Sequence, residues 1–178
     1  MKTCLIGHRT IIADISERIE KAVVREMMNG CMTFMVGTHG DFDGLALAVC
    51  RHLRRTFSDI NIEVVITSRN ALKKIKGEDS QYDDVKTVMY DVEKVHYKQR
   101  ITVSNRQMID ECDTLICYVN ENSYQSGAKS AMKYAKKKGL KIVNLYRTED
   151  DPLFGLPEEE KNKLYDRLLE EIKKLDEK

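Results

Sequence analysis

The 178-residue sequence has few residues that break a chain, since it holds only two prolines and nine glycines. Its formal net charge is only +1, from 30 basic and 29 acidic residues, which gives no electrostatic reason to expect a nucleic acid or an anionic membrane as partner. It has no apolar stretch of membrane-spanning length, and its first apolar run is too short for a signal-peptide core. We therefore expect a globular, cytoplasmic protein.

Cysteine chemistry is also limited, because the five cysteines form no C-x-x-C pair and their number is odd. At least three of them lie inside apolar runs, where a free cysteine behaves as a small hydrophobic residue. A disulfide framework is therefore not expected, which agrees with a reducing compartment. A nucleophilic hydrolase is not indicated either, because the sequence has no G-x-S-x-G motif.

Short apolar runs alternate with helical patterns along most of the chain. The predicted strands are 3–7, 32–37, 62–68, 85–92, 114–119 and 141–146. The predicted helices are 15–30, 43–57, 97–112 and 126–139. Apolar strands that alternate with helices are typical of a parallel sheet covered on both faces. The sequence therefore predicts an α/β fold, an open Rossmann-like three-layer sandwich with a mostly parallel sheet.

The last part of the chain differs in character from the rest. We expect residues 1–150 to form the Rossmann-like domain and residues 151–178 to form a charged amphipathic helix. The first turn of this helix is acidic, which suits the helix dipole, and leucines and an isoleucine line one stripe. The helix is expected to dock either on the domain itself or on a dimer partner.

The segment GTHGDFDG, residues 37–44, follows a predicted strand and precedes an alanine-rich helix. Gly37 and Gly40 allow positive φ and let backbone amides approach a ligand, while the helix directs its free amides into the same space. Asp43 lies near the helix N-cap, where its carboxylate can satisfy amides or bind a ribose hydroxyl. A phosphate cradle and a purely structural turn are both compatible with this spacing.

Two further loops are expected at the same edge of the sheet, where parallel strands end and ligands bind. GHR, residues 7–9, follows the first strand, and NENSYQSGAK, residues 120–129, follows the strand at 114–119. Ser126 can cap the next helix, and Gly127 opens the backbone. Lys129 is a cation in the first helical turn, where it is best tolerated beside an anion, although a solvated lysine fits equally well.

A metal site formed by His8, His39, Asp41 and Asp43 is a weaker alternative. The sequence has no helical H-x-x-x-H pair or other familiar ligand spacing. We therefore predict neither a metal nor a cofactor. The structural alternative for His8 is a hydrogen bond to nearby backbone, and for Arg9 it is a salt bridge on the rim of the cleft.

Four segments together resemble the SLOG superfamily of Rossmann-like proteins: LIGHR, GTHGDFDGLALAV, SNRQMIDECDTLICYV and SGAKSAMKYAKKKGLKIVNLY. That superfamily contains the DprA and LOG families and small stand-alone members from bacteria and phages. The resemblance spans residues 1–146. It implies that a nucleotide or nucleotide-derived molecule binds in the cleft, and that the protein is a homodimer or higher homo-oligomer. Nucleic acid is not the expected partner.

The loops and the resemblance together predict thirteen ligand-binding residues. They are Gly7, His8, Arg9, Gly37, Thr38, His39, Gly40, Asp43, Asn105, Arg106, Ser126, Gly127 and Lys129. The sequence also departs from the family pattern, because the family's R-N pair reads Ser104-Asn105 and its S-G-G-T turn reads S-G-A-K.

Catalysis is not expected from these residues. LOG enzymes carry a glutamate just after a glycine-rich turn, where this sequence has Ala131 and Met132. Departure of a base from a sugar needs a carboxylate nearby, so LOG-type hydrolysis is not expected and no catalytic residue is predicted. The leading hypothesis is a sensor or sequestering protein. The alternatives are a nucleotide N-glycosidase and, with less support, DprA-like binding of single-stranded DNA.

Overall fold

The computed structural model describes residues 1–68, 85–92, 94–122 and 125–150, together with positions 157, 160 and 163. The strands are β1 (Lys2–Gly7), β2 (Thr33–Val36), β3 (Asn61–Ile66), β4 (Lys86–Met89), β5 (Thr114–Tyr118) and β6 (Lys141–Asn144). The α-helices of the described part are α1 (Ser16–Met28), α2 (Asp41–Thr56), α3 (Arg100–Asp110) and α4 (Gly127–Lys138).

The six strands form one parallel sheet in the order β4-β3-β2-β1-β5-β6. One apolar cluster lies between the sheet and α1 and α2, and a second lies between the sheet and α3 and α4. The predicted three-layer, Rossmann-like α/β sandwich is therefore confirmed. The main differences are at element ends, since α2 begins two residues earlier than predicted and a 3-10 turn, Tyr97–Gln99, precedes α3.

Residues of β1 alternate between the two apolar clusters, as expected of a strand buried on both faces. Cys4 and Ile6 belong to the cluster under α3 and α4, whereas Leu5 belongs to the cluster under α1 and α2. All five cysteines are free and buried, which confirms their predicted role as small hydrophobic residues.

The chain divides into two compact units, Met1–Tyr146 and Arg147–Lys178. In the second unit, Thr148–Asp150 form a 3-10 turn. The predicted C-terminal helix lies almost wholly outside the described residues, as does the polar stretch 69–84. No helix of the described ranges combines the length and the apolar character that a bilayer crossing requires.

The end of β1 packs against the start of α2 without space for a side chain. A Cβ atom on Gly7 would lie 2.3 Å from Cγ and 2.8 Å from Cβ of Phe42, whose ring is fully buried. The sequence predicts Gly7 as a ligand-binding residue. The structure shows that its packing against Phe42 also requires a residue without a side chain.

Replacing Gly7 by alanine is therefore expected to lower the free energy of unfolding by about 1–3 kcal/mol, the usual cost of overpacking. Urea denaturation measures this cost. In a Phe42→Ala background, which removes Cγ and the ring, the same substitution is expected to cost less, because the two residues are in contact. An equal cost in both backgrounds would mean that Phe42 does not cause the strain.

Candidate functional site

The strand order reverses at β1, because the chain builds the sheet outward through β2, β3 and β4 and then returns to β5 on the other side of β1. Such a switch point leaves a crevice at the carboxyl ends of the strands, where ligands bind in open α/β sheets. A cavity of about 370 Å³ lies at this position, within the range of small-molecule sites.

Nine of the thirteen predicted ligand-binding residues line this cavity. They are Gly7, His8, Arg9, Gly37, His39, Asp43, Asn105, Ser126 and Gly127. Four others do not line it: Thr38, Gly40, Arg106 and Lys129. The three loops therefore meet at one edge of the sheet, as the sequence predicts. The four residues just named lie outside the lining of the cavity.

Two amides of the loop between β2 and α2 already have acceptors within the protein. The His39 amide donates to Oδ2 of Asp43 at 2.7 Å, and the Asp41 amide donates to the carbonyl of Arg9 at 2.7 Å. Asp43 lies near the N-cap as expected, in the first turn of α2 and three residues after the N-cap residue Gly40. The loop and its own carboxylates therefore satisfy these two amides, and the phosphate cradle expected at this helix stays a prediction.

The glycines of this loop permit these contacts. Gly40 has a φ of +144°, and a Cβ on it would lie 2.6 Å from Cα of Arg9. Asp41 ties the same two loops together, because its Oδ2 accepts from the Ile11 amide at 3.1 Å. Gly37 does not have the positive φ that the sequence suggests. It instead makes room for the carboxylate of Asp43, whose Oδ2 would lie 2.5 Å from a Cβ at Gly37.

The N-terminus of α4 differs from that of α2. Ser126 caps it as predicted, with its hydroxyl accepting from the Lys129 amide at 3.1 Å. The first turn of α4 contains no acidic residue. Gly127 and Ala128 line the cavity, and their amides have no acceptor in the described part of the chain. Free amides at a helix N-terminus are donors suited to an anion.

The surroundings of the two cavity histidines favour the neutral form of each ring. Nε2 of His8 accepts from the Asn120 amide at 2.9 Å, so its proton is on Nδ1, and this bond joins the loops after β1 and β5. Nε2 of His39 lies 2.8 Å from Oγ1 of Thr67. Burial lowers the pKa of both rings, and nearby Arg9 lowers that of His39 further.

These bonds also bear on the metal hypothesis. Within the ranges that the structure describes, no group of three or more His, Cys, Asp or Glu side chains is arranged to hold an ion. The nitrogens and carboxylates proposed for such a site are engaged with Asn120, Thr67 and backbone amides instead.

Asp43 is the one acidic residue that lines the cavity in the described part of the chain. Burial raises the pKa of its carboxyl to about 6, against the stabilising effect of the His39 amide. The carboxyl is therefore partly protonated slightly below neutral pH.

This raised pKa predicts a pH dependence of stability. The folded state holds the Asp43 proton more tightly than the unfolded state, so the contribution is present at low pH and is lost as the pH rises from about 4 to 6. Relative to Asp43→Asn, the wild type is expected to lose about 2–3 kcal/mol of unfolding free energy between pH 4 and pH 7. Urea denaturation at both pH values measures this difference. If the stability of the wild type relative to Asp43→Asn rises with pH, the pKa of Asp43 is not raised by folding.

Several residues that line the cavity are not among those predicted from the sequence. Thr67 follows β3, and Lys98 lies in the 3-10 turn before α3. On α3 the lining residues are Ile101, Thr102, Ser104, Asn105 and Met108.

Arg106 is a correction to the predicted site. A step of one residue along α3 turns it away from Asn105 and out of the cavity, and its guanidinium lies 5.4 Å from the ring centre of Tyr134.

A scan against protein-family models finds no match, and a search of curated proteins finds none either. Among solved structures, DNA processing protein A (DprA) from Streptococcus pneumoniae is similar to this chain, with 17% sequence identity and a TM-score of 0.55. The alignment covers 79% of this chain and 48% of that one, so the chain spans about half the length of DprA. This likeness establishes a DprA-like Rossmann fold.

Proposed function

We propose that this protein binds a small nucleotide or nucleotide-derived anion in the cavity at the switch point. It would act as a sensor or sequestering protein with little or no catalysis. The observation that carries the proposal is the N-terminus of α4, which directs the amides of Gly127 and Ala128 at the cavity with no acidic side chain in its first turn.

The charges of the cavity support an anionic ligand. Arg9 and Lys98 line it and are exposed to solvent, so two cations stand where a ligand would enter. The hydroxyl and imidazole groups of Thr67 and His39 offer hydrogen bonds of the kind that a sugar needs. The DprA-like fold adds general support, because ligands of Rossmann-like sheets bind at this edge.

Thermal denaturation with a panel of ligands tests the proposal. The panel contains nucleoside mono- and diphosphates, cyclic nucleotides and ADP-ribose derivatives, with unphosphorylated nucleosides as the control. A ligand at a hundred times its Kd stabilises the folded state by about 2.7 kcal/mol, which shifts Tm by several degrees. No shift with any phosphorylated compound would reject the proposal.

A second candidate function is hydrolysis of a nucleotide N-glycosidic bond. The observation that favours it is Asp43, whose carboxyl lines the cavity with a pKa of about 6 and could protonate a leaving base. Chromatography of the same panel after incubation would detect a released base. If base forms, and Asp43→Asn stops its release while the nucleotide still binds, the protein is an enzyme rather than a sensor.

A further inference from the structure

Ser104 on α3 carries a buried hydroxyl that nothing in the described structure uses. The residue is 1% exposed, lines the cavity, and its Oγ has no hydrogen-bond partner. Leaving a buried hydroxyl unpaired costs about 1–3 kcal/mol, so native proteins seldom keep one without a reason. An alanine at this position would avoid the cost and would suit the helix better.

Ser104 lies on α3 between two apolar residues of the cavity lining. Ile101 and Met108, three residues before and four after it, flank it on the same face of α3 and also line the cavity. Ile6 and Val65 add apolar lining from the sheet. Burying a charged group against this apolar lining costs more than burying an uncharged polar group, which would gain a hydrogen bond to the hydroxyl.

We propose that Ser104 determines the specificity of the cavity. Its hydroxyl hydrogen-bonds an uncharged polar group of the ligand, while the N-terminus of α4 holds the anionic group. For a nucleotide, the uncharged group is the edge of the base, and the apolar side chains around Ser104 contact the faces of the base. This inference rests on the proposed function. It adds that the Ser104 hydroxyl contacts the base end of the ligand rather than the phosphate end.

Calorimetric titration of the full chain tests the inference. The probes are AMP, GMP, CMP and UMP, which carry a base, and ribose 5-phosphate, which does not. Ser104→Ala is expected to weaken the best-bound nucleotide five- to tenfold and to change the affinity for ribose 5-phosphate less than twofold. The Tm of the ligand-free variant is expected to equal or exceed that of the wild type, because the lost hydroxyl had no partner.

Thr114→Val is the matched control. Thr114 is equally buried, but it begins β5 at the opposite edge of the sheet and its hydroxyl donates to Oε2 of Glu26 at 3.1 Å. We expect this variant to lose several degrees of Tm and to keep the affinity of the wild type for every probe.

The outcomes separate the two proposals. If the wild type binds neither these probes nor any phosphorylated compound of the thermal panel, both the proposed function and this inference fail. If it binds only another compound of that panel, the same titration of wild type and Ser104→Ala is made with that compound and with ribose 5-phosphate. If the wild type binds nucleotides and Ser104→Ala binds them equally well, this inference alone fails. An equal loss for nucleotide and ribose 5-phosphate, with a lowered Tm, would also overturn it, because it would show a structural role for the hydroxyl.

Discussion

Replacing Gly40 by alanine is expected to lower the free energy of unfolding by about 2–5 kcal/mol. Its φ of +144° lies in a region that side chains with a Cβ rarely adopt, which costs about 1–3 kcal/mol. The new Cβ would also lie 2.6 Å from Cα and 2.9 Å from O of Arg9, and these backbone atoms cannot rotate aside. The clash adds a cost of similar size and separates two loops that form the cavity.

Gly44→Ala is the matched control for this prediction. Gly44 lies four residues further on, inside α2, and a Cβ on it would have nothing within 4 Å. Alanine is about 0.5–1 kcal/mol better than glycine inside a helix, so this variant is expected to gain stability. Guanidinium denaturation measures both variants. A loss below 1 kcal/mol in Gly40→Ala would mean that the two loops are not in close contact.

Replacing Gly127 by proline is expected to weaken binding of a phosphate-bearing ligand about 10- to 100-fold. Proline is favoured as the first residue of a helix, and the extended backbone of Ser126, with φ −128° and ψ 164°, is compatible with a following proline. The variant therefore keeps α4 but removes one amide donor. A hydrogen bond to a charged group contributes about 1.5–3 kcal/mol, which gives this range of affinities.

Gly127→Ala separates the amide from other effects of the substitution. It keeps the donor, and its Cβ would meet nothing within 4 Å, so we expect binding within a few-fold of the wild type. Circular dichroism shows whether both variants keep their helix content. Equal affinities of the proline and alanine variants would exclude the Gly127 amide as a ligand contact.

The fold could be predicted from the sequence because each signal is local. Near-continuous apolar runs give the strands, and Ser126 and Gly139 bound α4 as their residue types predict. The convergence of the three loops follows from parallel strands alone. The order of the strands in the sheet depends on contacts distant in sequence, so local sequence patterns do not predict it.

The site could be predicted only in part, because side-chain partners depend on contacts distant in sequence. Gly40 was expected to let backbone amides approach a ligand, but it packs on Arg9. Asp43 satisfies an amide, as one of its two expected roles has it, but the partner is His39 in its own loop. Ser104 could have been found, since Ile101 and Met108 place it on the buried stripe of the predicted helix. That its hydroxyl has no hydrogen-bond partner could not be predicted, because this depends on every neighbouring side chain.

The central claim is that the anionic part of the ligand binds at α4 and not at α2. Titration of the ¹⁵N-labelled protein with inorganic phosphate, followed by amide NMR, tests it directly. The account predicts that the Gly127 and Ala128 amides shift most, while the His39 and Asp41 amides, engaged with Asp43 and Arg9, stay nearly fixed. Shifts largest at His39 and Asp41, or absent from Gly127 and Ala128, would contradict it.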